Sequence, residues 1–171
     1  MKFRDIPKFT KPGSYQVNMP LKYFVAWVKE NQAENNLQLN PDFQRGHVWS
    51  EKQQIAYIEF LLRGGKSGRV IYFNCPGWRM GNRPDDFVCV DGLQRTTAIM
   101  RFIDNEIPAF GVYYKDYEDE PHTDIDVLVN INELQTRKEV LKWYIEMNDG
   151  GTPHTEEEIN RVKDMFNSCD K

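Results

Sequence analysis

Apolar positions recur along this chain at two spacings, one helical and one extended, and their alternation predicts a mixed α+β fold. Leu21, Phe24, Val25 and Val28 share one helical face, so a helix is expected from Asn18, with Pro20 near its first turn and a polar break at Gln32 to Asn36. Ser50 and Gln53 have capping-box spacing ahead of a helix carrying Ile55, Ile58, Leu61 and Leu62, with Tyr57 and Phe60 filling in. That helix should stop at Arg63-Gly64-Gly65. Ala98, Ile99, Phe102 and Ile103 mark a third helix, closed by Asn105. Thr136 and Glu139 open a fourth, with Val140, Leu141, Tyr144 and Met147 inward, which halts at Asn148-Asp149-Gly150-Gly151. Thr155 and Glu158 open the last, burying Ile159, Val162 and Phe166.

Short apolar runs at Val70 to Phe73, Phe87 to Val90, Phe110 to Tyr114 and Asp126 to Ile131 read as strands, and Leu37 and Leu39 alternate as in a shorter one. Residues 1–17, punctuated by Pro7, Pro12 and Gly13, read as an arm or edge strand, and 18–171 as a single domain with a C-terminal helical extension.

Composition narrows the function classes. A chain of 171 residues can bury a core without staples. No apolar run reaches membrane-spanning length and the polar start lacks signal-peptide character, so a cytoplasmic protein without a membrane partner is expected. Cys75, Cys89 and Cys169 are odd in number and far apart, which argues for idle thiols over a disulfide framework or zinc site; His47, His122 and His154 are too scattered to nominate a metal. The net charge of −4 is split unevenly: +2 over 1–44, +4 over 45–101 and −10 over 102–171. The middle third is the anion-facing part, and the acidic remainder favours a compact anionic ligand over a long polyanion such as DNA.

The chemistry concentrates where Val88-Cys89-Val90 runs through Asp91-Gly92 into Leu93-Gln94-Arg95-Thr96-Thr97. A strand entering a helix through a glycine turn presents free N–H groups and the positive end of the helix dipole to an anion. Arg95 can hold a phosphate through paired hydrogen bonds, Asp91 a metal or a water, and Gln94 can orient either. Asp91 and Gln94 equally fit a capping box that binds nothing, and on these residues alone capping outweighs binding. Gly65-Lys66-Ser67 imitates the end of a P-loop but has Phe60 where the first glycine belongs, and follows a helix where a P-loop follows a strand; it reads as a helix C-cap. Upstream, Phe43, Val48 and Trp49 anchor a loop bearing Asp42, Gln44, Arg45 and His47, equally readable as a held site or a pinned surface loop.

Taken together, Leu39-Asn40-Pro41-Asp42-Phe43-Gln44-Arg45-Gly46-His47-Val48-Trp49, Asp91-Gly92-Leu93-Gln94-Arg95 and Asn148-Asp149-Gly150-Gly151 resemble, in that order, the N-terminal domain of GmrSD-type modification-dependent restriction enzymes and related phage-defence proteins. That domain has a D-G-Q-Q-R signature and belongs to the ParB/sulfiredoxin-like superfamily. The resemblance implies a small mixed sheet with surrounding helices and a nucleotide pocket at the signature turn. It implies binding of ATP, GTP or CTP, with Mg²⁺, and hydrolysis that regulates a separate nuclease or defence complex. By position, Asp91, Gln94 and Arg95 carry the chemistry, Asp91 being the metal ligand, while Gln44, Arg45, Gly92, Arg95, Thr96, Asn148 and Gly151 hold the nucleotide. Leu93 replaces the first signature glutamine. Glu146 stands where many members carry arginine, which implies weak binding, a need for Mg²⁺ to offset it, or no hydrolysis. No His-Asn-His grouping of the family's nuclease part occurs near the end. An NTPase is therefore the leading reading, a non-catalytic binding or decoy module the alternative, and a ParB-like nuclease the least supported.

Overall fold

The computed structural model describes residues 2–6, 15–44, 46–81, 87–120, 125–148 and 156–169. Its centre is a four-stranded mixed sheet in the order β1-β4-β2-β3, formed by β1 (Tyr15–Pro20), β2 (Val70–Asn74), β3 (Val88–Asp91) and β4 (Asp126–Asn132). β4 is antiparallel to β1 and parallel to β2, and β2 is antiparallel to β3, with a register shift between Tyr72 and Phe73. Five helices accompany it: α1 (Leu21–Glu34), α2 (Glu51–Leu62), α3 (Leu93–Ile103), α4 (Arg137–Asn148) and α5 (Glu156–Ser168). The fold is α+β, as the spacing of apolar residues predicts.

Strand alternation sends side chains to two cores. Ile71, Phe73, Cys89, Val127, Val129 and Ile131 pack in a larger core with Phe24 and Val28 of α1, Ile58 and Leu61 of α2, and Ile99 and Phe102 of α3. Val90 meets a smaller core with Phe43, Leu134, Val140, Leu141, Trp143, Tyr144 and Val162. β3, an edge strand, therefore has helices over both faces. Buried Arg69 locks the start of β2 to β4, with Nη1 3.0 Å from Asp126 Oδ1 and Nε donating to the Gly65 carbonyl.

Three expectations are corrected. Asn18 lies in β1 and not in α1, which starts at Leu21; the ring of Pro20 disfavours helical geometry at Met19, and Pro20 itself is extended at φ −53°, ψ 145°. β1 thus draws Tyr15, Gln16 and Val17 of the N-terminal arm into the sheet. Phe110 to Tyr114 is no strand: Phe110 and Gly111 both take positive φ in a turn closed by Ala109 and Val112, and Tyr114–Asp116 is a short 3-10 turn. Of this run only Tyr114 packs on α3, its ring 5.6 Å from that of Phe102, joined by Tyr117 further on at 6.3 Å, while Phe110 and Tyr113 stay exposed. The Leu37 to Leu39 segment makes a single bridge, Gln38 to Val88 on the β3 edge.

Gly65 does end α2 as a cap: its N–H reaches the Phe60 carbonyl at 3.0 Å while Gly64 N–H reaches that of Leu61 at 2.9 Å. A Cβ on Gly65 would lie 2.4 Å from the Phe60 ring, so only glycine lets the aromatic fold over the turn.

Candidate functional site

Gly92 makes the bend on which the candidate site residues sit. It links β3 to α3 with no intervening residue at φ +120°, and a Cβ there would sit 2.8 Å from Ile71 Cγ2. The bend is possible only because glycine permits both the dihedral and the close approach. α3 therefore begins immediately above the sheet edge with a residue that has no capping side chain.

The capping box open to Asp91 and Gln94 does not form. α2 has one, with Gln53 N–H donating to Ser50 Oγ at 3.4 Å and Ser50 N–H to Gln53 Oε1 at 2.9 Å. α4 has one too, with Thr136 N–H donating to Glu139 Oε2 at 3.1 Å and Glu139 N–H to Thr136 Oγ1 at 3.2 Å. At α3, by contrast, no side chain caps the N-terminus. Asp91 Oδ2 instead accepts from Arg95 Nη2 at 2.6 Å. Gln94 turns to the loop before α2: its Oε1 accepts from Val48 and Trp49 N–H, both at 3.0 Å, and its Nε2 donates to the Gly46 carbonyl at 2.8 Å.

Arg95 is mostly covered, with 22 % of its side chain exposed against 43 % for Asp91. Its Nε is buried without a partner, and so is the Oγ1 of fully buried Thr96 beside it. A buried donor left unsatisfied costs about 1–3 kcal/mol, more when charged, so a guest able to accept from it is favoured.

Besides Asp91, the Cys89 and Tyr57 side chains lie close enough to feel the charge of this guanidinium. Gln44 Nε2 donates to the Cys89 carbonyl at 2.5 Å. The Cys89 thiol is pushed up to about 12, chiefly by burial and further by Asp91, with Arg95 and a Gln44 hydrogen bond opposing. Burial likewise pushes the Tyr57 hydroxyl up to about 12, against the nearby charges of Arg95 and Arg69. Tyr57 donates to the Gly68 carbonyl at 2.9 Å and meets the Trp49 ring edge-on at 5.4 Å. At the other end of the loop His47 is lowered, first by burial and then by Arg101.

The structure thus brings Gln44, Asp91, Gly92, Gln94, Arg95 and Thr96 together on the β3–α3 unit and the loop it holds. Asn148 is the last residue of α4, donating from Nδ2 to the Tyr144 carbonyl at 2.7 Å. Arg45 and Gly151 lie outside the described residues, although both neighbours of Arg45 are tied to this unit: Gln44 to the Cys89 carbonyl, and Gly46 to Gln94. Glu146, half-buried on α4, has one carboxylate oxygen buried without a partner and the other 4.0 Å from Lys142 Nζ. Tyr57 and Cys89 were not legible as site neighbours, since their spacing marks them only as core. Among the described residues, no group of three or more His, Cys, Asp or Glu could hold a metal by itself.

The module is α+β, with a helix N-terminus that no side chain caps, an arginine whose Nε has no partner, and a loop held by Gln94. The chain is matched over residues 28–127 by the family model for the N-terminal domain of the GmrSD restriction endonuclease, and it belongs to that family of restriction-related modules. No curated protein shows a significant match to the chain. No helix among the described residues is long and apolar enough to cross a membrane.

Proposed function

We propose that the chain is a nucleotide-binding module of a restriction or phage-defence system, and that its bound state is read by a nuclease or defence-complex partner. The observation carrying this reading is the unsatisfied, buried Nε of Arg95 beside an uncapped helix N-terminus. A triphosphate supplies acceptors both to the guanidinium and to the leading amides of α3. Asp91 has one oxygen committed to Arg95 and a carboxylate nearly half exposed. That suits a single protein ligand to Mg²⁺, whose other positions are filled by water and phosphate oxygens. When bound, the ion would neutralise phosphate charge close to Asp91.

Gln94 serves this site as a clamp. Both its amide oxygen and its nitrogen are engaged by the loop, so it is a positioning residue and not a partner for an attacking water. This favours binding over turnover. Hydrolysis is the second reading, supported by the uncommitted oxygen of Asp91, which can accept a hydrogen bond from a water.

A thermal-shift panel of ATP, GTP and CTP, with and without Mg²⁺, followed by phosphate release, tests both readings. Stabilisation by a triphosphate without released phosphate is the expected result. Released phosphate that disappears in Asp91→Asn establishes turnover, and no shift with any triphosphate overturns the proposal.

A further inference from the structure

The α4–α5 helix pair lies beyond the span matched by the family model, yet it grips the loop that precedes the site. Phe43, 3 % exposed, is buried in the smaller core with Val162 of α5, and its ring lies edge-on to Tyr144 of α4 at 5.2 Å. Arg137 Nη2 reaches both oxygens of Asp42, at 2.9 and 2.8 Å. Arg161 Nη2 of α5 donates to the Gln44 carbonyl at 3.0 Å and lies 3.4 Å from that of Phe43. Gln44 in turn holds the Cys89 carbonyl, two residues before Asp91. One short loop is therefore strung between the C-terminal helices and β3, the strand that leads through Gly92 into the helix bearing Arg95.

These contacts differ in kind. The Asp42–Arg137 pair is exposed on both sides and contributes little net energy. The Arg161 bonds run from a cation to backbone carbonyls, so they constrain the path of the main chain at residues 43 and 44. We propose that Arg161 is a positioning residue that couples the seating of α5 to nucleotide affinity by fixing the backbone of Phe43 and Gln44, whose side-chain amide holds β3 two residues before Asp91. The inference rests on the nucleotide reading of the site. A partner that lifted α5 from the loop would release the carbonyls of Phe43 and Gln44 and weaken the hold on the ligand, with no contact to the ligand itself.

The test uses the full chain with Arg161→Ala and Arg161→Lys, and Arg137→Ala as a control. Two quantities are read: backbone amide exchange over residues 41–47 in the ligand-free protein, and triphosphate affinity by calorimetry. Arg161→Ala should speed exchange in that segment while exchange in α3 stays slow, and weaken affinity by about five- to tenfold. Arg161→Lys, which can still donate to a carbonyl, should recover most of both, and Arg137→Ala should change affinity less than twofold, as expected for an exposed pair. Unchanged exchange in Arg161→Ala overturns the latch. Faster exchange with unaltered affinity overturns the coupling. A wild-type chain that binds no triphosphate overturns the nucleotide reading, and is distinguished by the exchange data, which are read without ligand.

Discussion

Arg95 Nη2 lies 2.6 Å from Asp91 Oδ2, one turn apart across the glycine bend between β3 and α3. The pair is half-exposed at its acidic end, so it is a weak tie, on the order of 1 kcal/mol or less. It aims the guanidinium without exhausting it, since Nε remains unpartnered. Asp91→Asn should therefore cost under about 1 kcal/mol of stability and raise metal-free triphosphate affinity by up to about fivefold, while abolishing any gain from Mg²⁺. Calorimetry with and without Mg²⁺ checks all three, and a loss of metal-free binding would contradict them.

Gln94 holds the loop before α2 through three hydrogen bonds from one amide. Gln94→Ala leaves the Val48 and Trp49 N–H groups and the Gly46 carbonyl without these partners, and about 1–3 kcal/mol should be lost on urea unfolding. With the other three tryptophans replaced by phenylalanine, Trp49 fluorescence should shift to the red in the native state as its anchoring loosens. Gln94→Glu keeps the acceptors but loses the donor, so the Gly46 carbonyl would face a carboxylate and the variant should be destabilised as well.

Gly92→Ala should be the most damaging change at the turn. Both the φ of +120° and the approach to Ile71 exclude a side chain, and relief requires movement of buried backbone. A loss of about 2–4 kcal/mol is expected from strain and overpacking together. Denaturant unfolding measures it, and a loss under 0.5 kcal/mol, the range of ordinary surface substitutions, would contradict the geometry.

Cys89 and Tyr57 should make stability fall in alkali. Their protons are held to about 12 in the folded chain against 9.0 and 10.0 as ordinary values. Between those limits the folded state binds more protons than the unfolded one, so stability contributed by these groups is full below pH 9 and declines as pH rises towards 12. Cys89→Ala should flatten that decline in urea titrations between about pH 9 and 11. Of the three cysteines only Cys169 is exposed, so a disulfide reagent at neutral pH should titrate one thiol in the native protein and three after unfolding.

The elements were largely legible because amphipathic spacing coincides with a capping box at α2 and α4 and with a glycine stop at α2. Phe110 to Tyr114 misled because aromatic residues signal strands by their bulk, whereas here Phe110 and Gly111 turn at positive φ and only Tyr114 packs on α3. Asp91 and Gln94 were legible as polar groups at a helix start, but not in their partners. Which acceptor Gln94 would choose depended on a loop 45 to 48 residues away, which spacing within the motif cannot report. Arg161 was invisible for the same reason, being joined to Gln44 across 117 residues.

Isothermal titration of ATP, GTP and CTP into the wild-type chain and into Arg95→Ala, with Mg²⁺ present, tests the role of Arg95 most directly. Saturable binding of at least one triphosphate is expected in the wild type, with at least about a hundredfold loss in Arg95→Ala and a change in unfolding free energy near 1 kcal/mol, as a charge-assisted phosphate contact and a weak surface pair respectively require. Equal binding by both proteins, or a large fall in stability with binding unaltered, would return Arg95 to a purely structural role.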